Sequence, residues 1–245
     1  MPDKVENIAY CELTPEQKDF YLDVLDSTKE ELFKSIEQNG LEKSRLSIFS
    51  ALLRLRQICC HPRLYDKENV KGMIPSGKFE HLKGMLEQII SEGHRILLFS
   101  QFVDMLDIIK DWLERSGIPY EYLTGKTKDR QGAVERFNSS TSIPIFLISL
   151  KAGGTGLNLT GADYVIHYDP WWNPAVEDQA TDRAYRIGQT KKVFVYRLIT
   201  KNTVEEKIQK LKSIKRDLVD NVISVDRNIT KSLTLDDIKE IFSVD

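Results

Sequence analysis

Residues 96–100 read ILLFS, a short apolar run without a charge. A strand with one wet face would alternate apolar and polar side chains, so an unbroken run of this length points to a strand buried on both faces. Upstream, Phe79, Leu82, Leu86 and Ile89–Ile90 recur at helical spacing from Ser76 to a stop at Gly93. Downstream the spacing predicts a helix over 103–115, and the pattern then repeats. Strands are expected near 119–123, at IPIFLIS (143–149), at YVIHY (164–168) and at VFVYRLI (193–199), with helices over 128–138, 174–186 and 203–219. Strands alternating with helices define an α/β domain: a parallel sheet with helices on both faces.

The first seventy residues read as helical. Thr14 precedes Pro15 and Gln17, an N-cap with proline at the first helical position. Leu22, Leu25, Leu32, Phe33 and Ile36 follow at helical period until Gly40. Leu46, Phe49, Leu52, Leu53, Arg56 and Ile58 give a second helix, stopped before Pro62. Polar residues with Gly72 and Pro75 make 66–76 a linker. The expected division is a helical segment over 1–75, the α/β domain over 76–228, and a tail over 229–245 whose LTLDDIKEIF gives one more short helix.

The chain has 245 residues, 41% hydrophobic and 29% charged, an ordinary globular balance. A net charge of −2 carries no bulk basic signature, so any affinity for nucleic acid must come from a local patch. Three cysteines, Cys11, Cys59 and Cys60, give no disulfide framework and fit a reducing intracellular compartment. Cys59-Cys60-His61 has no second ligand pair at zinc spacing, so no metal site is expected. No apolar run reaches the roughly 18 residues of a membrane span, and no signal-peptide core opens the chain.

GMIPSGKF (72–79) matches the G-x-x-x-x-G-K of a phosphate loop. Phe79 stands where a magnesium-binding hydroxyl belongs, Pro75 removes a backbone donor, and the segment follows a linker instead of a strand. The better reading makes Ser76 the cap of a helix that Gly77 and Lys78 begin. The sequence offers no other phosphate loop and no acidic pair after a strand to hold magnesium. It is therefore not expected to hydrolyse a nucleoside triphosphate alone.

The stretch LISLKAGGTGLNLTGADYVIHYDPWWNPAVEDQATDRAYRIGQ (147–189) closely resembles the second motor lobe of the SWI/SNF-type ATPases of helicase superfamily two. LRQICCHPRLYD (55–66), SGKFEHLKGML (76–86), ILLFSQF (96–102) and LTGKTKDRQGAVERFN (123–138) extend the resemblance over nearly the whole chain. The family carries two RecA-like lobes. ATP with magnesium binds between them and is held mainly by the first, which supplies the phosphate loop and the magnesium carboxylates. The resemblance implies a RecA-like sheet here and a helical, protrusion-like segment before it. It also implies that this chain is a C-terminal portion whose first lobe lies upstream.

Arg183 and Arg186 sit three apart in QATDRAYRIGQ (179–189), so at helical spacing they share one face as two planar cationic forks. By resemblance they are arginine fingers, reaching across to the γ-phosphate held by the first lobe. The plain alternative is an ion pair with Asp182 or Glu177. Resemblance further places Gly156, Asn158 and Gln179 toward the nucleotide, although Gln179 also reads as a surface glutamine. Lys151 and Thr155 are placed toward a DNA phosphate, in a glycine-rich KAGGTGLNL (151–159) that also reads as a tight turn after a strand. In DPWWNP (169–174) Trp172 is expected near the DNA groove and Trp171 partly packed, with core packing of both as the alternative. Gly125, Lys126, Thr127 and Arg130 in GKTKDR form a backbone-phosphate site, beside a Lys128 that also reads as solvated. Ser100 and Gln101 end a strand on the edge where open α/β sheets gather ligands.

The resemblance implies a DNA-dependent ATPase that translocates on double-stranded DNA and displaces bound proteins. The competing classes are a non-catalytic nucleic-acid-binding module and an RNA-unwinding enzyme. The first lobe of the same polypeptide and duplex DNA are the expected partners, with DNA-bound proteins as further candidates. A monomer without membrane attachment is expected, in a cytoplasm beside the nucleoid if bacterial and in a nucleus if eukaryotic.

Overall fold

The computed structural model describes residues 3–66, 74–152, 157–170, 174–186, 188–214 and 233–244. One parallel sheet holds β1 (Lys4–Cys11), β2 (Ile96–Ser100), β3 (Tyr120–Leu123), β4 (Ile145–Ser149), β5 (Tyr164–His167) and β6 (Val193–Thr200), in the order β1-β6-β5-β2-β4-β3. The helices are α1 (Pro15–Lys43), α2 (Arg45–Cys60), α3 (Gly77–Ser91), α4 (Val103–Arg115), α5 (Arg130–Ser139), α6 (Pro174–Thr181), α7 (Val204–Ile214) and α8 (Leu235–Ile241). The expected α/β architecture is thus present. ILLFS lies at its centre as β2, buried at every position and paired in parallel with β4 and β5.

By contacts the chain divides into two compact units, residues 1–9 with 81–199 and residues 10–80 with 200–245. The first unit holds most of the sheet. Leu97 and Phe99 of β2, Phe146 and Ile148 of β4, Val165 of β5 and Val195 of β6 pack against Ala133 and Phe137 of α5 and Ala180 of α6. The alternate residues Ile96, Leu98, Ile145 and Leu147 point to the opposite face and are equally buried. α4 packs along β2 and β4 with Met105, Leu106, Ile109 and Leu113 buried, so both faces are covered.

Two local expectations are corrected. Residues 4–11 form a strand, not part of a helical segment. β1 is an edge strand whose exposed Glu6, Ile8 and Tyr10 alternate with half-buried neighbours, so no apolar run betrays it. The first helical run breaks at Gly40 as expected, where φ 77° and ψ 164° are non-helical, and a short helical piece then continues α1 to Lys43. The helix expected over 174–186 stops at Thr181, and beyond it the Arg183 and Ala184 carbonyls turn to tertiary partners, the Leu159 amide and Gln189 Nε2. Residues 215–219 of the helix expected over 203–219 lie outside the described residues.

In the second unit α1 packs on α2. Thr14 and Gln17 form the capping box that starts α1. Gln17 is fully buried, donating to the Ile58 carbonyl at 2.8 Å and accepting from the Gly77 amide at 3.0 Å. The phosphate-loop look-alike is spent on this packing. The Ser76 hydroxyl accepts the Phe79 amide at 3.2 Å, capping α3, and donates to the Cys60 carbonyl at 2.8 Å. Lys78 is fully buried, with Nζ 2.5 Å from Glu205 Oε2 of α7. A Cβ on Gly77 would lie 1.9 Å from the backbone oxygen of Glu12. Gly77→Ala is expected to destabilise this unit by about 1–3 kcal/mol, read as a lower urea midpoint at unchanged slope.

Candidate functional site

The strand register assembles the site. Ser100 of β2 stands beside Ser149 of β4, and Leu123 of β3 beside Ile148 of β4. Phe99 stands beside His167 of β5. Parallel strands end on the same side, so the segments that follow β2, β3, β4 and β5 emerge along one sheet edge. These segments begin at Gln101, Thr124, Leu150 and Tyr168.

Two of them are tied together. The Asp169 carboxylate accepts the Gln101 amide at 3.0 Å, linking the exits of β2 and β5. Ser100 is fully buried, and its hydroxyl accepts the Phe102 amide at 3.1 Å. Gln101 Nε2 is buried and meets no acceptor among the described residues.

After β3, the Thr127 hydroxyl accepts the Thr124 amide at 2.9 Å and Thr127 N–H donates to the Thr124 carbonyl at 3.1 Å. This small turn leaves Gly125 and Lys126 exposed, Lys128 exposed and Arg130 half-buried at the start of α5. Asp129 caps α5 through the Gly132 amide at 2.9 Å and pairs with Arg136 at 3.1 Å. Lys126, Lys128, Arg130 and the exposed Lys151 after β4 have no ion-pair partner among the described residues. A locally basic edge thus exists on a chain of net charge −2.

The arginine pair does not lie on a continuous helix. Beyond Thr181 the ladder tightens: Ala184 N–H bonds the Thr181 carbonyl at 3.0 Å, and Arg186 N–H bonds the Ala184 carbonyl at 3.2 Å. The Arg183 carbonyl accepts the Leu159 amide at 3.0 Å, and the Ala184 carbonyl accepts Gln189 Nε2 at 3.0 Å. Arg183 is 5% exposed, yet its Nε and Nη1 find no acceptor among the described residues. Burial, and then the nearby Arg186 charge, lower its pKa from the usual arginine value. Arg186 is exposed.

Among the described residues Arg183 pairs with neither Glu177 nor Asp182. Glu177 is held by Arg197 Nε of β6 at 2.7 Å, Arg197 Nη1 reaches Glu6 of β1 at 2.9 Å, and Asp182 is exposed. α6 is anchored at its end by Thr181, whose hydroxyl lies 3.0 Å from His167 Nε2 on β5.

The residues after the glycine-rich stretch are clamped. Asn138 Nδ2 donates to the Asn158 carbonyl at 2.8 Å, and Asn138 Oδ1 accepts the Gly161 amide at 3.4 Å. Arg95 packs over the Phe137 ring and donates to the carbonyls of Phe137, Ile143 (3.1 Å) and Gly161 (3.3 Å). Asn158 itself is exposed, as is Gln179 on α6. Thr155, Gly156 and Trp172 lie outside the described residues.

Sequence reading missed Arg95, Asn138, Asp169 and Arg197. Each acts through tertiary hydrogen bonds to residues distant in the chain, which no periodicity records. A buried position for a polar residue beside an apolar run was the available signal for Arg95, which directly precedes β2.

The described residues thus combine a parallel sheet, a clamped loop, a basic edge and a buried arginine with unfilled donors. The helicase conserved C-terminal domain matches residues 77–188, and the SNF2-related domain matches residues 1–64. The C-terminal domain of the Sulfolobus solfataricus SWI2/SNF2 ATPase superposes with a TM-score of 0.77 at 35% identity, over 99% of this chain and 100% of that one. The same ATPase's core in complex with dsDNA gives a TM-score of 0.81 at 38% identity, over 100% of this chain and 51% of that one. The chain is 40% identical to the putative ATP-dependent helicase/translocase YwqA of Bacillus subtilis, over 100% of this chain and 26% of that protein. The chain belongs to the SWI2/SNF2 ATPase family and corresponds to its C-terminal part. It spans about a quarter of the length of the bacterial relatives it matches.

Proposed function

We propose that this chain is the second motor lobe of an ATP-driven translocase on double-stranded DNA, with Arg183 and Arg186 as fingers for a γ-phosphate held by a first lobe. The observation that carries this is the Arg183 guanidinium, buried with two donors that find no acceptor among the described residues. An unpaired buried cation is costly unless an anion arrives to complete it. A phosphoryl group building negative charge on its oxygens supplies that anion at the moment of reaction.

Asn158, Gly156 and Gln179 are assigned to the nucleotide side. Ser100, Gln101, Gly125, Lys126, Thr127, Arg130, Lys151, Thr155 and Trp172 are assigned to the DNA. Magnesium and the phosphate loop belong to the first lobe, so the chain alone is expected to show no ATP turnover. The dsDNA bound to the Sulfolobus relative supports the choice of nucleic acid. DNA-stimulated ATP hydrolysis on adding a first lobe tests the reading as a whole. Hydrolysis stimulated by RNA but not by duplex DNA would replace it with the RNA-unwinding reading.

The basic edge makes a separate expectation measurable on the chain alone. Duplex binding should weaken steeply with salt and depend little on sequence. Lys126→Ala and Lys151→Ala should each reduce the slope of log K against log salt by about 1. Fluorescence anisotropy with two unrelated duplexes measures both, and slopes left unchanged by these substitutions would remove the two lysines from the interface.

A further inference from the structure

Gln189 is a buried carboxamide that the assignment above leaves without a task. It is 7% exposed, and its Nε2 lies 2.8 Å from the Ala162 carbonyl, 3.0 Å from the Ala184 carbonyl and 3.2 Å from the Thr160 carbonyl. Its Oε1 accepts the Lys191 amide at 2.9 Å, and its own amide donates to the Arg186 carbonyl at 2.9 Å. One side chain therefore grips the segment carrying both arginines and the residues that follow the glycine-rich stretch.

The backbone bond from Leu159 to the Arg183 carbonyl joins the same two segments. Asn138 holds residues 158–161 by its own carboxamide, through the Asn158 carbonyl and the Gly161 amide.

We propose that Gln189 is a positioning residue for Arg183, locking the arginine segment and the loop 157–162 into one hydrogen-bonded body, with Asn138 as the second clamp on that loop. This rests on the finger reading above. The physical need is specific. The turn after α6 keeps local bonds but loses the regular ladder, so bonds from outside add to fixing its backbone direction. A guanidinium on such a turn keeps its register only while those bonds hold. A misplacement of about 1 Å at a reacting centre costs about 10²-fold in rate. The loop and the finger belong to one body, so a change at either reaches the other through Gln189 and Leu159.

The substitution that tests this is Gln189→Met, which keeps volume and removes the donors and acceptor. On the 245-residue chain, amide hydrogen exchange at Leu159 should speed up about tenfold or more, while exchange at Leu98 in the central strand stays unchanged. Asn138→Ala, a surface substitution that spares the core, should speed up the Gly161 amide in the same way. Unchanged exchange at Leu159 and Gly161 overturns the clamp, whatever the activity. If Gln189→Met unfolds the chain, Asn138→Ala decides on the same criterion.

With a first lobe added, Gln189→Met should lower kcat by about 10- to 10²-fold and leave KM for ATP within about twofold, the pattern of a lost transition-state interaction. In an Arg183→Ala background it should cost almost nothing more. A full further loss in that background, or a raised KM at unchanged kcat, overturns the positioning role while the finger reading stands. If Arg183→Ala alone leaves hydrolysis unaffected, the finger reading itself fails, and the exchange result still judges the clamp.

Discussion

Arg183→Ala should reduce DNA-stimulated ATP hydrolysis by about 10³-fold or more when the chain works with a first lobe, with nucleotide affinity little changed. The size follows from where the charge acts. A planar guanidinium in a water-poor setting stabilises phosphoryl oxygens only as their charge develops, so the effect falls on kcat. Arg183→Lys should fail to rescue it, because an ammonium is a point charge without the fork that grips two oxygens together. Arg186→Ala should act in the same direction. Steady-state kinetics with duplex DNA at saturation measure all three. Activity within about threefold of the parent in Arg183→Ala would leave the buried, unfilled guanidinium without a catalytic explanation, since a finger is worth far more than that.

Glu205→Ala is expected to have the largest effect on stability, about 3–5 kcal/mol. Lys78 and Glu205 meet inside the second unit at 2.5 Å, with side-chain exposures of 0% and 3%. Burial pulls the Lys78 pKa down and the Glu205 carboxylate pulls it up, with the net shift upward, so the ammonium is a committed cation. Glu205 Oε2 also accepts the Thr200 amide at 2.9 Å, fixing the entry to α7. Removing the carboxylate takes the anionic partner from the buried ammonium and the acceptor from that amide together. Lys78→Met with Glu205→Leu should recover much of the loss, because two apolar side chains leave no buried charge behind. Urea unfolding decides between these expectations. Equal losses in the single and double variants would show packing, not charge, to be the dominant contribution.

Much of this was legible from the sequence, and what was not has physical reasons. ILLFS and IPIFLIS are strands buried on both faces, so their apolar runs announce them. Thr14-Pro15-Gln17 announces α1 because capping is a local affair. β1 stayed hidden because an edge strand paired on one side carries Lys4, Glu6 and Asn7 without penalty. The end of α6 stayed hidden because Leu159 and Gln189 take the carbonyls of Arg183 and Ala184 just past it, and neither partner is visible from the sequence of the helix.

The same division runs through the site. Arg183 and Arg186 were found as a pair by their spacing and by family resemblance, but their helical face was not real. That the Glu177 carboxylate belongs to Arg197, leaving Arg183 Nε and Nη1 without an acceptor among the described residues, needed coordinates. Lys78 shows the reverse hazard: it sits in a match to a phosphate-loop pattern, and its charge is consumed by Glu205. A lysine in a motif is informative only once its partner is known.

The most direct measurement is a structure of the chain together with its first lobe, duplex DNA and a transition-state mimic of the transferring phosphoryl group. Arg183 Nε or Nη1 should lie within about 3 Å of an equatorial oxygen or its fluoride stand-in, as a charge-assisted hydrogen bond requires. Those two nitrogens still without an acceptor, or satisfied by a carboxylate of this same chain while the mimic is bound elsewhere, would contradict the assignment.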